Sequence, residues 1–295
     1  MIEHWRDRLE TVVHLRPDLV VLPEQCDRPW MASYPADLME RYYEHRQDRM
    51  LDFLASVARD HHTNIAYSGR REDSSGRYNA TQLIDRTGEI VGVYDKCYLT
   101  EGEHQRGGMT PGAEPRLIQL DFGTVAPAIC FDLNFDELLT DIAELAPDVI
   151  AFSSNFHGGP LQGHWAYTAR SYFVGAICPP SPSAILDPFG DPVASSTNYR
   201  HEALAVVNLD SALVHIDSNG RKFNAIRREY GPDVRIKDPG RIGVVEITAE
   251  RDGLSVDDVI ERFELVRLDD YFRRVRGHRR HRSGPVAATA TEQEA

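Results

Sequence analysis

Short apolar runs alternate with amphipathic segments along most of the chain. Trp5, Leu9 and Val13 recur at helical spacing near the start, and an unbroken apolar run follows at residues 19–22. Apolar residues three or four positions apart predict an amphipathic helix, and a short continuous run is typical of a buried strand. Similar pairs of segments recur to about residue 210, with two β-hairpins between them. The alternation predicts an α/β layered fold with mixed sheets.

The pattern divides the chain into a long first domain and two shorter segments. The predicted helices cover about residues 3–15, 37–59, 136–145, 162–171 and 255–265, and the predicted strands about residues 19–22, 64–69, 80–84, 90–94, 116–120, 124–129, 148–152 and 172–177. No linker-like stretch interrupts residues 1–210, so we expect them to form one domain. Residues 211–276 are more polar and are predicted to be a C-terminal extension. Residues 277–295 have the composition of a disordered tail.

Composition and charge exclude several kinds of partner. The chain has 33 Lys and Arg against 46 Asp and Glu, a formal net charge of −13, so we expect no nucleic-acid partner. An arginine-rich segment between residues 273 and 282 is most simply a solvated face rather than a membrane or nucleic-acid site. No apolar run approaches the ~20 residues that a membrane span needs, and no apolar signal-peptide core follows Met1. We therefore expect a cytoplasmic protein with no membrane association.

The cysteines and histidines do not suggest a metal site. Cys26, Cys97, Cys130 and Cys178 contain no C-x-x-C spacing, which argues against a zinc knuckle or a dithiol redox motif. The histidines have no ligand-like spacing with carboxylates on one face. We therefore expect no metal ion.

Three reactive side chains each follow a predicted strand. They are Glu24, Lys96 and Cys130. Ligands bind at the carboxyl ends of strands in α/β sheets, so the three side chains are candidates for one site. A carboxylate can accept a thiol proton, a thiolate can attack an electrophilic carbon, and an ammonium group can stabilise the resulting oxyanion and lower the pKa of the thiol. Together they would form a set suited to nucleophilic catalysis.

Each of these residues has a simpler interpretation when it is considered alone. A glutamate after a strand is most often a surface residue or a helix cap, and a lysine after a hairpin is most often solvated. A single cysteine is most often a small buried hydrophobe. Only the flanking sequence separates the catalytic interpretation from these alternatives.

The flanking sequence resembles the nitrilase, or carbon–nitrogen hydrolase, superfamily. Its three signatures are matched in order by Leu22-Pro23-Glu24, by Tyr94-Asp95-Lys96 with Tyr98-Leu99 and Thr110-Pro111-Gly112, and by Ile129-Cys130-Phe131-Asp132 with Phe135-Asp136-Glu137. Tyr78-Asn79-Ala80 also fits the family pattern. The resemblance covers about residues 9–209, and three motifs in order are a far more specific signal than one.

The resemblance implies a fold, an activity and a catalytic triad. The family fold is a four-layer α-β-β-α sandwich that assembles into homodimers or larger homo-oligomers. The implied activity is hydrolysis of non-peptide carbon–nitrogen bonds in a small-molecule amide, carbamoyl compound or nitrile. Glu24 would be the general base, Lys96 the stabiliser of the tetrahedral intermediate, and Cys130 the nucleophile that forms a thioester acyl-enzyme. No metal or organic cofactor is implied.

The resemblance also indicates further site residues. A second glutamate often follows the lysine in this family, and Glu103 is our choice for it, with Glu101 left as the alternative. The backbone N–H of Phe131 is a candidate oxyanion donor because it directly follows the nucleophile. Asn155, Phe156 and His157 are candidates for substrate contact from their position alone, after a predicted strand.

Two departures from the family pattern affect these expectations. Family members usually begin with a strand, and this first strand is missing before the helix predicted at residues 3–15. The Trp-Glu pair that follows the cysteine in true nitrilases is replaced by Phe131-Asp132. We therefore favour amides or N-carbamoyl amines over nitriles. Nitrile hydrolysis, acyl transfer to an acceptor other than water, and a non-catalytic relative stay open as alternatives.

Overall fold

The structure is a computed structural model in which residues 1–29 and 34–282 are described, with side chains up to residue 279. The chain forms two compact units, Met1–Ala205 and Val206–Ala295. The boundary between them falls at residue 205, close to the predicted position 210. The last helix continues to Arg282, beyond the predicted start of the tail at residue 277. The rest of the predicted tail lies outside the described residues.

The first unit contains helices and strands in alternation. Its helices are α1 (Ile2–Glu10), α2 (Ala36–Arg46), α3 (Arg49–His61), α4 (Asp136–Leu145) and α5 (Leu161–Ala169), and its strands are β1 (Leu19–Val21), β2 (Asn64–Asp73), β3 (Gly76–Ile84), β4 (Ile90–Asp95), β5 (Ile118–Leu120), β6 (Gly123–Ile129), β7 (Val149–Ser154), β8 (Tyr172–Ile177), β9 (Ala184–Leu186) and β10 (Pro192–Ser195). The structure begins in α1, without a strand before it among the described residues.

Two predicted helices are interrupted. The first predicted helix ends at Glu10, and a separate 3-10 turn covers Val13–Leu15. The long helix predicted for residues 37–59 is two helices, because Gln47 has a φ of 46° and breaks the hydrogen-bond ladder there. Both halves carry apolar residues, so the hydrophobic pattern does not reveal the break.

The first sheet has the strand order β1-β2-β3-β4. β1 and β2 run parallel, whereas β2, β3 and β4 are antiparallel neighbours. Helix α3 packs on one face of this sheet, because Met50, Leu54 and Ala58 repeat every four residues along one side of the helix and are all buried. The core of this half also includes Leu9 of α1 and Ile65 of β2.

The second sheet has the strand order β10-β9-β8-β7-β6-β5. Its centre, β6-β7-β8, is parallel, and the outer strands are antiparallel. Helices α4 and α5 cover it, with Ile142 and Trp165 buried against Phe152 and Phe173 of the sheet. The all-buried strand β7 fits the continuous apolar run that predicted it.

The two sheets lie face to face between the two layers of helices. The hydroxyl of Ser153 on β7 donates a hydrogen bond of 2.7 Å to the carbonyl oxygen of Leu22, which follows β1. The predicted four-layer α-β-β-α sandwich is therefore confirmed. The layering also brings the ends of β1 and β4 in one sheet towards the end of β6 in the other.

The second unit has a core of its own. Strands β11 (Ser211–His215), β12 (Val234–Lys237) and β13 (Val244–Ala249) form an antiparallel sheet of order β11-β13-β12. The helices of this unit are α6 (Ile216–Asn219), α7 (Phe223–Tyr230), α8 (Val256–Arg262) and α9 (Leu268–Arg282). Val245 and Ile247 of the sheet pack with Ile226 of α7 and Val259 of α8. The segment predicted as an extension is thus a layered α/β unit.

Candidate active site

Glu24, Lys96 and Cys130 come from three separate strand ends. Glu24 lies in the turn after β1, Lys96 directly follows β4, and Cys130 directly follows β6. The Nζ atom of Lys96 is 2.9 Å from Oε1 of Glu24, although 72 residues separate them. Both residues also influence the thiol of Cys130 electrostatically. The structure therefore brings the three predicted side chains together.

Lys96 is surrounded by carboxylate oxygens. Its side chain is only 1% exposed, and Nζ lies 2.9 Å from Oε1 of Glu24 and 2.9 Å from each carboxylate oxygen of Glu103. Burial by itself lowers the pKa of Lys96, but the charges of Glu24 and Glu103 outweigh burial and hold the pKa above its ordinary value. The lysine is therefore a fixed positive charge at neutral pH.

Glu103, the predicted second glutamate, contacts Lys96 through both of its carboxylate oxygens. It lies in a π-helical turn, Gly102–Arg106, whose geometry turns its side chain back to Lys96. The backbone N–H and the hydroxyl of Thr100 donate to Oε2 of Glu103 at 2.9 and 3.0 Å. Burial raises the pKa of Glu103, but Lys96 and these donors lower it by a larger amount, so the net shift of the pKa is downward. Glu101 is exposed and takes no part in this network.

Glu24 is held by four N–H donors. Its Oε1 accepts from Asn79 Nδ2 at 2.8 Å and from Lys96 Nζ at 2.9 Å, and its Oε2 accepts from the backbone N–H of Asn155 at 3.1 Å and from Asn155 Nδ2 at 2.7 Å. The residue is 3% exposed. Asn155, which was predicted to contact substrate, is thus placed by the structure against the predicted general base.

Cys130 occupies a sharp turn between a strand and a helical turn. It has a φ of 47°, a left-handed conformation that is unusual for a residue with a Cβ atom, and it begins a 3-10 turn at Cys130–Asn134. Burial and the charge of Glu24 raise the pKa of the thiol to about 11, although Lys96 and the hydroxyl of Ser154 act in the opposite direction. Lys96 therefore acts on the pKa of the thiol in the predicted direction, but burial and Glu24 outweigh it and the net shift is upward.

Asp132 fixes the turn that carries Cys130. It is fully buried, and its carboxylate accepts hydrogen bonds from the hydroxyl of Tyr94 at 2.7 Å, the N–H of Tyr98 at 2.8 Å and the N–H of Ile129 at 2.9 Å. These donors link the ends of β4 and β6. Burial raises the pKa of Asp132 to about 6, and the three hydrogen bonds oppose that shift only in part.

Asp132→Asn should change how stability depends on pH. The pKa of Asp132 is raised on folding from 3.8 to about 6, so protonation stabilises the fold between these values and ionisation costs about 2–3 kcal/mol above pH 6. The variant lacks this titration. We expect wild type to gain about 2 kcal/mol of unfolding free energy relative to Asp132→Asn when the pH falls from 7 to 4.5. Urea unfolding of both proteins at the two pH values measures this, and a constant difference would contradict it.

The remaining candidates make contacts within their own loops. They are Phe131, Phe156 and His157. The Phe131 ring is 37% exposed and packs edge-to-face with Phe135 at a centroid distance of 5.3 Å. Phe156 is 72% exposed, and its N–H donates to Ser154 Oγ. Nδ1 of His157 accepts from the N–H of Gly159. These contacts are local to the loops, so the roles of the three residues towards substrate stay predictions.

Sequence reasoning assigned no role to Asn79 or Asp132. Asn79 lies near the start of the buried stretch of β3, where its neighbours Tyr78 and Ala80 are also buried. A buried amide in such a run needs hydrogen-bond partners, and this need is the feature of the sequence that could have identified Asn79. The position of Asp132, two residues after Cys130 and directly before the apolar Leu133, is the feature that could have identified it.

A sequence profile described as carbon–nitrogen hydrolase matches residues 1–215. The chain belongs to the carbon–nitrogen hydrolase family. The matched region contains every candidate residue of the site, and the resemblance inferred from the three motifs is confirmed. The family assignment covers the first unit and the beginning of the second.

Individual relatives of this carbon–nitrogen hydrolase include hydrolases and amidases. A hydrolase of Schizosaccharomyces pombe is 25% identical over 239 residues, 72% of this chain and 72% of the relative. The chloroplastic omega-amidase of Arabidopsis thaliana is 22% identical over 77% of this chain and 68% of its own length. Among solved structures, a mutant of the amidase from Nesterenkonia sp. AN1 is similar, with a TM-score of 0.58 and 18% identity over 69% of this chain and 82% of its own. That mutant carries the acetamide moiety of fluoroacetamide on its active-site cysteine.

Within residues 1–29 and 34–282, no helix is both long and apolar enough to cross a bilayer. In the same part of the chain, no group of three or more His, Cys, Asp or Glu side chains is arranged to hold a metal ion.

Proposed function

We propose that this carbon–nitrogen hydrolase cleaves amides or N-carbamoyl amines through a thioester on Cys130. The observation that carries the proposal is the buried Lys96 ammonium held between Glu24 and Glu103 beside a cysteine in a strained turn. Burying three charged groups is costly unless they pair. The pairing of these charges next to a nucleophile is the arrangement that acyl transfer requires.

In the first half of the reaction, Glu24 accepts the proton of the Cys130 thiol while Sγ attacks the carbonyl carbon. The C–S bond forms and the carbonyl π electrons move to oxygen. When this tetrahedral intermediate collapses, the C–N bond breaks and the leaving nitrogen takes the proton from Glu24. Ammonia or an amine departs, and a thioester remains on Cys130.

In the second half, water hydrolyses the thioester. Glu24 accepts a proton from the attacking water, the C–O bond forms, and the C–S bond of the second tetrahedral intermediate breaks. The sulfur regains the proton, and the acid product leaves. The same carboxylate therefore serves as base and then as acid in each half-reaction.

The stabilisation of the oxyanion is divided between charge and hydrogen bonding. Lys96 has three N–H bonds, and its Nζ lies 2.9 Å from three carboxylate oxygens, so it acts on the oxyanion mainly through its positive charge. The N–H of Phe131, next to the nucleophile in the turn, supplies the hydrogen bond. Asn155 orients Glu24 for proton transfer, because it holds Oε2 with two donors.

The raised pKa of Cys130 favours proton transfer during attack rather than a preformed thiolate. With a pKa of about 11, the thiol is protonated at neutral pH, so a base within the site is essential. The omega-amidase relative and the covalent adduct of the Nesterenkonia amidase support amide hydrolysis and a cysteine nucleophile. The residues Phe131-Asp132 after the cysteine are our reason for favouring amides and carbamoyl compounds over nitriles.

A screen of small amides, N-carbamoyl amines and nitriles tests the proposal. Purified protein is incubated with each compound, and both the acid product and ammonia are quantified by mass spectrometry and a colorimetric assay. We expect turnover of at least one amide or carbamoyl compound by wild type and none by Cys130→Ser. Adding hydroxylamine to a turned-over substrate should yield a hydroxamate if the acyl-enzyme also transfers to other acceptors. Turnover by Cys130→Ser at the wild-type rate, or turnover confined to nitriles, would contradict the proposal.

A further inference from the structure

Two glutamates of the site share the same two nitrogen donors. Asn79 Nδ2 is 2.8 Å from Oε1 of Glu24 and 2.8 Å from Oε1 of Glu103, and Lys96 Nζ is 2.9 Å from the same two oxygens. The four atoms therefore form a closed ring in which donors and acceptors alternate. Asn79 is fully buried, so the whole contact is shielded from water.

This ring reduces the repulsion between the carboxylates of Glu24 and Glu103. The two Oε1 atoms are close together, because each lies 2.8 Å from one nitrogen, and two ionised carboxylates at that distance repel each other strongly when buried. Lys96 compensates one of the two negative charges. Asn79 supplies a second bridging donor that carries no charge. The set of Glu24, Glu103 and Lys96 thus keeps one net negative charge.

The position of Asn79 in the sheet explains how it can hold both loops. Its carbonyl oxygen accepts a hydrogen bond of 2.8 Å from the N–H of Lys96, so the backbones of β3 and of the residue after β4 are locked in register. Glu24 and Glu103 lie in a turn and in a π-helical turn, which are less regular than a strand. A side chain on a central strand is therefore the reference point to which both are tied.

We propose that Asn79 is a positioning residue that orients the Glu24 base and keeps Glu24 and Glu103 ionised side by side. The inference rests on the proposed function for its kinetic consequences. It goes beyond that function because it assigns a role to a residue that contacts neither the nucleophile nor, in the proposed mechanism, the substrate.

Asn79→Leu and Asn79→Asp test this role, with Thr81→Val as the matched control. Thr81 is on the same strand two residues away and is also fully buried, and its hydroxyl has no hydrogen-bond partner among the residues that the structure describes. Asn79→Leu removes the bridging donor at similar volume, and Asn79→Asp replaces it with a third carboxylate. Circular dichroism and the thermal midpoint establish that each variant is folded.

With a substrate that wild type turns over, kcat/KM is measured against pH. For both Asn79 variants we expect the acidic limb to move upward by about one pH unit and kcat to fall at least about tenfold, with KM within about threefold. The free energy of one hydrogen bond to a charged group corresponds to changes of about this size in the acidic limb and in kcat. Thr81→Val should match wild type in all three quantities. An unshifted acidic limb in folded Asn79→Leu would reduce Asn79 to a structural residue and overturn the proposal.

A second measurement does not need turnover and separates this proposal from the proposed function. The rate of iodoacetamide alkylation of Cys130 at pH 9, followed by mass spectrometry of the labelled peptide, reports the negative charge around the thiol. Asn79→Asp adds such a charge, so we expect alkylation at least about threefold slower than in wild type and in Thr81→Val. If wild type hydrolyses nothing in the screen but this slowing occurs, only the proposed function fails. Equal alkylation rates would contradict the coupling of Asn79 to the site.

Discussion

Cys130→Ser and Cys130→Ala proteins should each lose at least about 1,000-fold in kcat/KM towards the best substrate of wild type. Alanine removes the nucleophile, and serine presents an oxygen whose proton is much harder to remove with a carboxylate base. Neither change removes a buried packing group, since Cys130 is only partly buried at the end of β6. Steady-state kinetics with matched thermal midpoints measure the effect.

Cys97→Ala is the control for this prediction. Cys97 is also a partly buried free thiol, and it lies next to Lys96, but its side chain packs against the core formed by α4 and α5. We expect kcat/KM within about threefold of wild type, because its sulfur has no part in the proposed mechanism. If Cys97→Ala lost as much kcat/KM as Cys130→Ala, the assignment of Cys130 as the nucleophile would be wrong.

The pH dependence of thiol labelling provides an independent check on Cys130. Because the pKa of its thiol is raised to about 11, the thiolate fraction increases about tenfold for each pH unit below that value. Alkylation of Cys130 in wild type should therefore accelerate steadily between pH 7 and pH 10. A rate that is already constant above pH 7 would show a preformed thiolate and would exclude the concerted proton transfer to Glu24.

Lys96→Met should remove activity and also destabilise the fold. The substitution leaves Glu24, which is 3% exposed, and Glu103 without their shared cation. Breaking a buried ion pair by deleting one partner costs about 3–5 kcal/mol, and the loss of the positive charge near the oxyanion should lower kcat by at least about 100-fold. Urea unfolding at pH 7.5 and steady-state kinetics measure the two effects.

Two further variants make this prediction specific to the buried network. Lys222→Met removes a lysine whose Nζ donates an exposed hydrogen bond to the carbonyl oxygen of Glu264, and we expect it to change stability by less than about 0.5 kcal/mol. Adding Glu103→Gln to Lys96→Met removes one uncompensated charge, so it should restore at least about 1 kcal/mol of stability but no activity. Additive losses in the double variant would mean that Lys96 and Glu103 do not interact.

Much of the fold was predictable from periodicity. Unbroken apolar runs predicted β7 and β8, and apolar residues at helical spacing predicted a helix over residues 37–59, since burial on one face or both imposes these patterns. The break at Gln47 was not predictable, because the apolar spacing continues on both sides of it and only the packing of α2 and α3 decides where the backbone turns. The sheet of the second unit was missed because its strands, such as β12, are short and partly polar.

The site was predictable to the extent that its residues lie within the motifs. Glu24, Lys96 and Cys130 were selected by their strand-end positions and flanking residues. The choice between Glu101 and Glu103 needed coordinates, because two glutamates two residues apart in a loop differ only in the direction of their side chains. The π-helical turn directs Glu103 to Lys96 and leaves Glu101 exposed.

The sequence by itself determined the family, the layered fold and the three reactive side chains, because these depend on residue type, order and period. The tertiary structure decided how those side chains interact. It placed Asn79 between two glutamates, turned Asn155 towards Glu24, and raised the pKa of Cys130 to about 11 because burial and Glu24 outweigh Lys96. These properties arise from burial and from distances between residues that are far apart in the chain, and neither quantity is encoded in local sequence.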